Sequence, residues 1–332
     1  MTCIELGEGT VALITGGAGF IGSHLAEELV KRGVNVRILD NFSTGKRENI
    51  SKIVDKVELI EGDIRDSEIV SKAVRGVDIV FHLAAVVGVK RYVENPLEVI
   101  EVNTQGTHNI LREAYRQKVK RVVFASTSEV YGKNSNVPLR EDDNRVLGPT
   151  FIDRWCYSTS KALDEHLCYA YYRLKGLDVV ILRYFNIYGP RANTSAYGGV
   201  VSRFVTQVLR DEPPTVFGSG RQTRTFTYVT DAVEGTILAA ESSKSSGEVF
   251  NIGSEYEISI VSLAKLIIKL AGKEGHLEPT FIPYEKFYGR WFEDIMRRVP
   301  DISKAKRTLG FQPKVNLEKG LKLTIEWYRK HL

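Results

Sequence analysis

Tyr157 and Lys161 stand four residues apart in RWCYSTSKALDEHLCYAYYRLKG, a segment with a helical pattern, so both project from one face. A tyrosine acts as a base near neutrality only if its pKa falls from about 10 by about three units, which takes about 4 kcal/mol of differential stabilisation. An ammonium beside the phenolate and a positively charged ring in contact with it supply that. Upstream, ASTSEVYG at residues 125–132 follows RVVF, an apolar run with the character of a buried strand. It places the side-chain oxygens of Ser126, Thr127, Ser128 and Glu129 at a strand tip, where open parallel sheets bind ligands. Thr127 is suited to hydrogen-bond a substrate hydroxyl that Tyr157 deprotonates.

These groups need a hydride acceptor and elements to hold it. In TGGAGFIGSH, Gly16, Gly19 and Gly22 follow a strand and open the helix FIGSHLAEELVKRG. A turn without side chains lets a pyrophosphate approach the backbone and meet the N–H groups at the helix start. Asp40 ends the next strand, 18 residues past Gly22, the spacing of a carboxylate that binds an adenine ribose diol. Such a carboxylate repels a 2′-phosphate, which favours NAD over NADP, although Lys46 and Arg47 follow closely.

Six Val- and Ile-rich runs, VALIT, VNVRILD, VELIEGD, DIVFHLA, RVVFAS and DVVILRYFN, alternate with helical patterns. This predicts an α/β protein with a Rossmann-type doubly wound parallel sheet over residues 1–185. Residues 186–332 are expected to form a smaller C-terminal α/β substrate lobe, with strands at PTVF and TFTYV and some segments returning to the first domain. With 332 residues, 43% of them hydrophobic and 26% charged, the chain can bury a sizeable core. Lys and Arg exceed Asp and Glu by only 46 to 41 with no basic tail, which argues against nucleic acid as a partner. Cys3, Cys156 and Cys168 lack metal-ligand spacing, so no metal site is expected, and a reducing, cytoplasmic setting is. No stretch has the roughly 18 consecutive apolar residues of a membrane span.

Taken together, TGGAGFIGSH, DNFSTGKRENI, GDIRD, FHLAA, VNTQGT, STSEVYG, YSTSK, LRYFNIYGPR, GRQTRTFTYV and VPDISKAKRTLGF cover nearly the whole chain and resemble the extended short-chain dehydrogenase/reductase family of nucleotide-sugar epimerases, dehydratases and decarboxylases. The resemblance implies Tyr157 as base, Lys161 on the nicotinamide ribose and Thr127 on the sugar 4-hydroxyl. It places Phe20, Ile21, Asn41, Asp63, Ile64, Leu83, Ala84, Ala85, Asn103, Ser126 and Tyr184 around NAD. Asn186, Val200, Val201 and Phe217 fall to the nucleotide-sugar substrate, a UDP-sugar. Physically, the planar paired donors of Arg224 and Arg298 suit its pyrophosphate, and Arg154 is a candidate for a sugar carboxylate. Family members of this kind also pair two helices, here near 96–117 and 157–175, into a four-helix homodimer interface, for which Leu163, Tyr169 and Tyr172 are the expected apolar contacts.

All these enzymes first oxidise the sugar at C4, and the branches differ afterwards. A 4,6-dehydratase needs an extra acid, and Ser128 is a poor one. Thr127-Ser128-Glu129 resembles the UDP-glucuronate decarboxylases, as do RWCYSTSK and FYGRWFEDIMRRVPDI. The loop TSAYGGVVSRF lacks the basic residue that those decarboxylases often carry before VVS and suits a UDP-hexose 4-epimerase. Decarboxylase is the first expectation, 4-epimerase the alternative and dehydratase the least supported. A non-catalytic NAD-binding module would be expected to have lost Tyr157 or Lys161, and both are present.

Overall fold

Each of the six apolar runs forms a strand: β1 (Val11–Thr15), β2 (Asn35–Asp40), β3 (Val57–Glu61), β4 (Ile79–His82), β5 (Arg121–Thr127) and β6 (Val179–Tyr184). The computed structural model describes residues 4–194, 199–288 and 293–332; Cys3, residues 195–198 of the loop before VVS and residues 289–292 of FYGRWFEDIMRRVPDI lie outside them. The strand Val249–Ile252 joins the edge, giving the order Val249–Ile252, β6, β5, β4, β1, β2, β3, with every neighbouring pair parallel. Helices cover both faces, so β4 and β6 are buried at every position. From β3 the chain crosses back to β4 on the far side of β1. That reversal opens a crevice at the carboxyl ends of β1 and β4.

The helices beside the crevice are α1 (Phe20–Lys31), α2 (Ser67–Val74), α3 (Val89–Glu94), α4 (Pro96–Arg116) and α5 (Arg154–Lys175). Their ends follow from local chemistry. Asp66 caps α2 by accepting the N–H groups of Glu68 and Ile69, and Asn95 with Pro96 starts α4. Gly176, at φ 71°, ends α5 in the left-handed conformation. By contrast, α1 begins on Gly19 with no capping side chain, which leaves its first N–H groups open to the crevice.

The smaller lobe packs the helices Val200–Leu209, Ile260–Leu270 and Leu317–His331 around Phe204, Leu263 and Leu321. TFTYV is not one strand. Thr223–Thr225 pairs within this lobe, whereas Thr227–Tyr228 pairs with Ile187–Tyr188 and Val229 already starts a helix. The switch is fixed by Thr227, whose Oγ1 donates to the Phe185 carbonyl at 2.9 Å. Residue 185 divides the chain but not the core, because the helix Val229–Glu241 and the strand Val249–Ile252 pack on the main sheet. Tyr169 and Tyr172 also depart from expectation: both pack against the sheet's core, and the Tyr172 ring fills the space beside Gly247, while Leu163 is exposed.

A buried ion pair ties β6 to α5. Arg183 donates to Glu165 at 2.9 and 2.7 Å, and Ser126 donates to the same carboxylate at 2.5 Å. Glu165→Ala strands the Arg183 charge and is expected to lower the unfolding free energy by about 3–5 kcal/mol. Urea denaturation reads this, and a loss below about 1 kcal/mol would show that the pair does not hold the sheet to α5.

Candidate active site

The crevice is one cavity of about 980 Å³ that runs from the first glycine turn to the smaller lobe. At its floor Gly16 has φ 70°, and its N–H donates to the Leu39 carbonyl at 2.8 Å. A Cβ on Gly22 would lie 2.2 Å from the Gly16 carbonyl oxygen, so only glycine lets α1 start against this turn. Asp40 accepts the Ala18 N–H at 2.9 Å and the Phe42 N–H at 2.8 Å, one on each oxygen. Burial raises its pKa, and those two N–H groups oppose the rise. Each carboxylate oxygen keeps a lone pair for a ribose hydroxyl. An open helix start, a side-chain-free turn and a carboxylate at the end of β2 fit NAD.

Across the cavity β5 presents Ser126, Thr127, Ser128 and Glu129. Tyr157 of α5 faces them, buried, with the ring of Tyr92 stacked on its own at 4.6 Å between centroids. Burial pushes its phenol pKa up; the Thr127 hydroxyl, hydrogen-bonded to it, opposes this, Glu129 and Asp164 add to it, and Arg298 opposes it. The expected partner Lys161 is turned elsewhere: its ammonium lies over the Phe124 ring at 3.9 Å and 3.7 Å from Asp164. Tyr157 and Lys161 are neighbours on one helix but not a direct pair.

Where the two lobes meet, five charged side chains are buried together. Arg298 donates to Glu129 at 2.5 Å and to the Asn186 side-chain oxygen at 3.2 Å. Arg154 lies 3.4 Å from Glu129 and 3.2 Å from Asp294, and Arg224 lies 3.1 Å from Asp294. Three arginines against two carboxylates leave one positive charge. Burial works against ionisation of Glu129, but Arg298 and Arg154 outweigh it and hold the carboxyl at about 2. Asp294 is held low by Arg154 and Arg224 in the same way, and Tyr284 donates to it at 2.5 Å.

Most residues singled out by sequence line this cavity: the glycines 16, 19 and 22 with Phe20 and Ile21, Asp40, Asn41, Ile64, residues 83–85, residues 126–129, Tyr157, Tyr184, Asn186, Val200, Val201 and Arg298. Six do not. Asp63 is turned to Arg65, whose hydrogen bonds hold its carboxyl at about 2. Asn103 pins the Val86 backbone, accepting its N–H at 2.9 Å. Phe217 is stacked under Phe287 at 4.2 Å, and Lys161, Arg154 and Arg224 stand behind the wall. Sequence reasoning missed Tyr92, Ser158, Tyr284 and Asp294. Ser158 donates to the Glu129 carbonyl at 2.7 Å, fixing the turn that carries that carboxylate. Asp294, four residues before Arg298, was detectable as an acid in an arginine-bearing segment; Tyr92 left no signal.

Comparison with known proteins follows the same lines. A model of the NAD dependent epimerase/dehydratase family matches residues 12–253. A UDP-N-acetyl-alpha-D-glucosaminuronate decarboxylase of Bacillus cytotoxicus is 50% identical over 96% of this chain and 97% of its own length. UDP-glucuronic acid decarboxylase 1 of Xenopus tropicalis is 40% identical over 96% of this chain and 72% of its own. Among solved structures, a UDP-glucose 4-epimerase of Thermotoga maritima with UDP-glucose superposes with a TM-score of 0.88 at 35% identity, over 97% of this chain and 99% of that one.

Two outcomes follow. Gly22→Val, which forces the first turn of α1 away from Gly16, should weaken NAD binding at least about tenfold, or 1.4 kcal/mol, by calorimetry; unchanged affinity would place the dinucleotide elsewhere. Because the Glu129 pKa is depressed from 4.5 to about 2, its stabilising contribution is full above pH 4.5 and is lost as pH falls through 2. Acid unfolding of Glu129→Gln should therefore be shallower than that of the unaltered protein over this window, and parallel curves would mean that the ion pair is not formed in solution.

Proposed function

Because the chain belongs to the NAD-dependent epimerase/dehydratase family, we propose that it is a UDP-uronate decarboxylase, acting on UDP-glucuronate or its 2-acetamido analogue. The observation that carries this reading is the buried Glu129, held ionised by Arg298 and Arg154 beside Tyr157. A carboxyl pinned at about 2 cannot serve as a general acid near neutrality, and Ser128 is no better, which leaves a 4,6-dehydratase without its proton donor. The surplus positive charge of the cluster suits a substrate that carries a carboxylate as well as a pyrophosphate.

Bound NAD supplies the hydride acceptor for C4. Tyr157 takes the proton from the 4-hydroxyl, a role that requires the positive nicotinamide ring to offset the rise that burial gives its pKa, and Thr127 orients that hydroxyl. A uronic acid oxidised at C4 is a β-keto acid: the C5–C6 bond breaks, its electron pair moves into the C4 carbonyl, and carbon dioxide leaves. The enolate oxygen is then hydrogen-bonded by Tyr157 and Thr127, and C5 takes a proton from water, which leaves a 4-keto pentose. Glu129, fixed as an anion, aligns Arg298 toward the sugar rather than moving the proton itself. A second reading, UDP-hexose 4-epimerase, is favoured by the likeness to the Thermotoga maritima enzyme and needs only that the keto sugar turn over within the cavity.

We also place the enzyme as a homodimer in the cytoplasm. Leu97 and Ile100 of α4 and Leu163 of α5 are exposed apolar side chains on two helices that pack side by side, a face suited to a second copy. Free Cys156 and Cys168 fit a reducing compartment.

Incubated with NAD and either UDP-uronate, the protein should yield a nucleotide sugar lighter in mass spectrometry by one carbon dioxide if the hydride returns to C4, or by carbon dioxide and two hydrogens if the 4-keto group is kept. Glu129→Gln should reduce that yield about tenfold or more, and Tyr157→Phe about a hundredfold or more. Product of unchanged mass but altered chromatographic mobility would establish the epimerase instead. Sedimentation should give a dimer that Ile100→Glu with Leu163→Glu converts to monomer; a monomeric parent would refute the dimer.

A further inference from the structure

Behind the wall of the site lies a chain of buried polar groups that spans four elements and that neither hydride transfer nor sugar binding requires. Thr15 ends β1, His82 ends β4, Thr107 lies in α4 and Asp164 in α5, and each is no more than 1% exposed. The Ala84 N–H lies 3.2 Å from Thr15 Oγ1, Thr15 Oγ1 lies 2.7 Å from His82 Nδ1, and His82 Nε2 lies 3.1 Å from Thr107 Oγ1. Asp164 follows, against the Thr107 hydroxyl, and then Lys161, whose Nζ is 3.7 Å from Asp164.

The contacts make one continuous donor-to-acceptor chain when Thr15 donates to His82. A backbone N–H can only donate, so Thr15 accepts from Ala84, and its own proton is then available to His82 Nδ1. In that arrangement His82 carries its proton on Nε2, and burial and the nearby Lys161 charge keep the ring neutral by lowering its pKa to about 3. His82 Nε2 then donates to Thr107, whose remaining proton is left for Asp164. The chain thus ends on a hydroxyl beside a carboxylate, short of a full hydrogen bond but close enough to favour the ionised form.

We propose that Asp164 is the counter-ion that keeps Lys161 an ammonium, and that the Thr15–His82–Thr107 chain orients it for that task. The other groups facing Lys161 cannot take the role. Glu165 is bound to Arg183 and Ser126, Cys168 is a buried thiol that its surroundings keep protonated, His82 is neutral and Phe124 offers only its ring. Among the described residues no arginine pairs with Asp164, and the Thr107 hydroxyl beside it falls short of a full hydrogen bond, which leaves Lys161 as its ionic partner. Burial acts against both charges, raising Asp164 to about 7 and lowering Lys161, so each depends on the other. Asp164 is a positioning residue: it acts through Lys161, and it does so whichever sugar the enzyme oxidises.

The test follows the ionisation of Lys161 by NMR of protein carrying isotope-labelled lysine, with Lys161→Arg identifying its resonance. Asp164→Asn keeps the side chain's shape and removes the charge. It should move the Lys161 ionisation down by about one pH unit or more, a tenfold change in the equilibrium. NAD affinity should fall by at least the same factor at alkaline pH and by less at neutral pH. Thr107→Val, which removes the donor to Asp164, should shift Lys161 in the same direction by a smaller amount, and it decides the matter if Asp164→Asn does not fold. An unshifted Lys161, or NAD affinity reduced equally at every pH, would overturn the proposal. Because neither readout involves a sugar, the result is independent of which reaction the enzyme performs.

Discussion

The pairing of Arg298 with Glu129 is the constraint on which the site depends. Glu129 sits on the turn after a strand of the main sheet, and Arg298 on a short strand of the smaller lobe. Their 2.5 Å contact lies at the junction of the lobes, out of water. Buried charges are costly unless paired, so this contact sets how the lobes meet. Asn186, between the lobes in the chain, accepts from the same arginine and donates to the Thr225 carbonyl at 2.7 Å.

That constraint propagates through charge. With Glu129 compensated, Arg154 can divide its donors between Glu129, Asp294 and the Glu293 carbonyl, and Arg224 can rest on Asp294. Each guanidinium is thereby held in a defined plane, and Arg298, the one of the three that lines the cavity, is fixed in place by the other two through their shared carboxylates. The sheet contributes the opposite end of the site by a different means. There the turn of Gly16, Gly19 and Gly22 and the uncapped start of α1 provide backbone N–H groups, which suit a diphosphate without adding net charge.

Lys161 and Tyr157 show how two neighbours on one helix come under separate control. Tyr157 is governed by the strand tip, through Thr127 and Glu129, and by the ring of Tyr92. Lys161 is governed from behind, by Asp164 and the Phe124 ring. The helix sets their spacing and supplies Asp164, while the end of β5 and the ring of Tyr92 on α3 complete their surroundings.

The sequence by itself determined the parts of this protein that depend on local chemistry. Alternating apolar runs specified the parallel sheet because a strand covered on both faces must be apolar throughout. The glycine spacing specified the cofactor turn because no side chain fits there, and Asp40 marked the end of the next strand. Tyr157, Lys161, Thr127 and Glu129 were legible as types at spacings that suit one reaction class. Tertiary structure alone decided what each faces. Asp294 and Tyr284 meet Arg154 and Arg224 only because distant strands converge, and the break in TFTYV arises because its halves pair in different lobes. Tyr169 and Tyr172 have the periodicity of an exposed apolar face, yet their rings are long enough to reach the core. Lys161 meets Asp164 three residues on in the same helix, but it is burial against the Phe124 ring, decided by the fold, that makes the ammonium depend on that carboxylate.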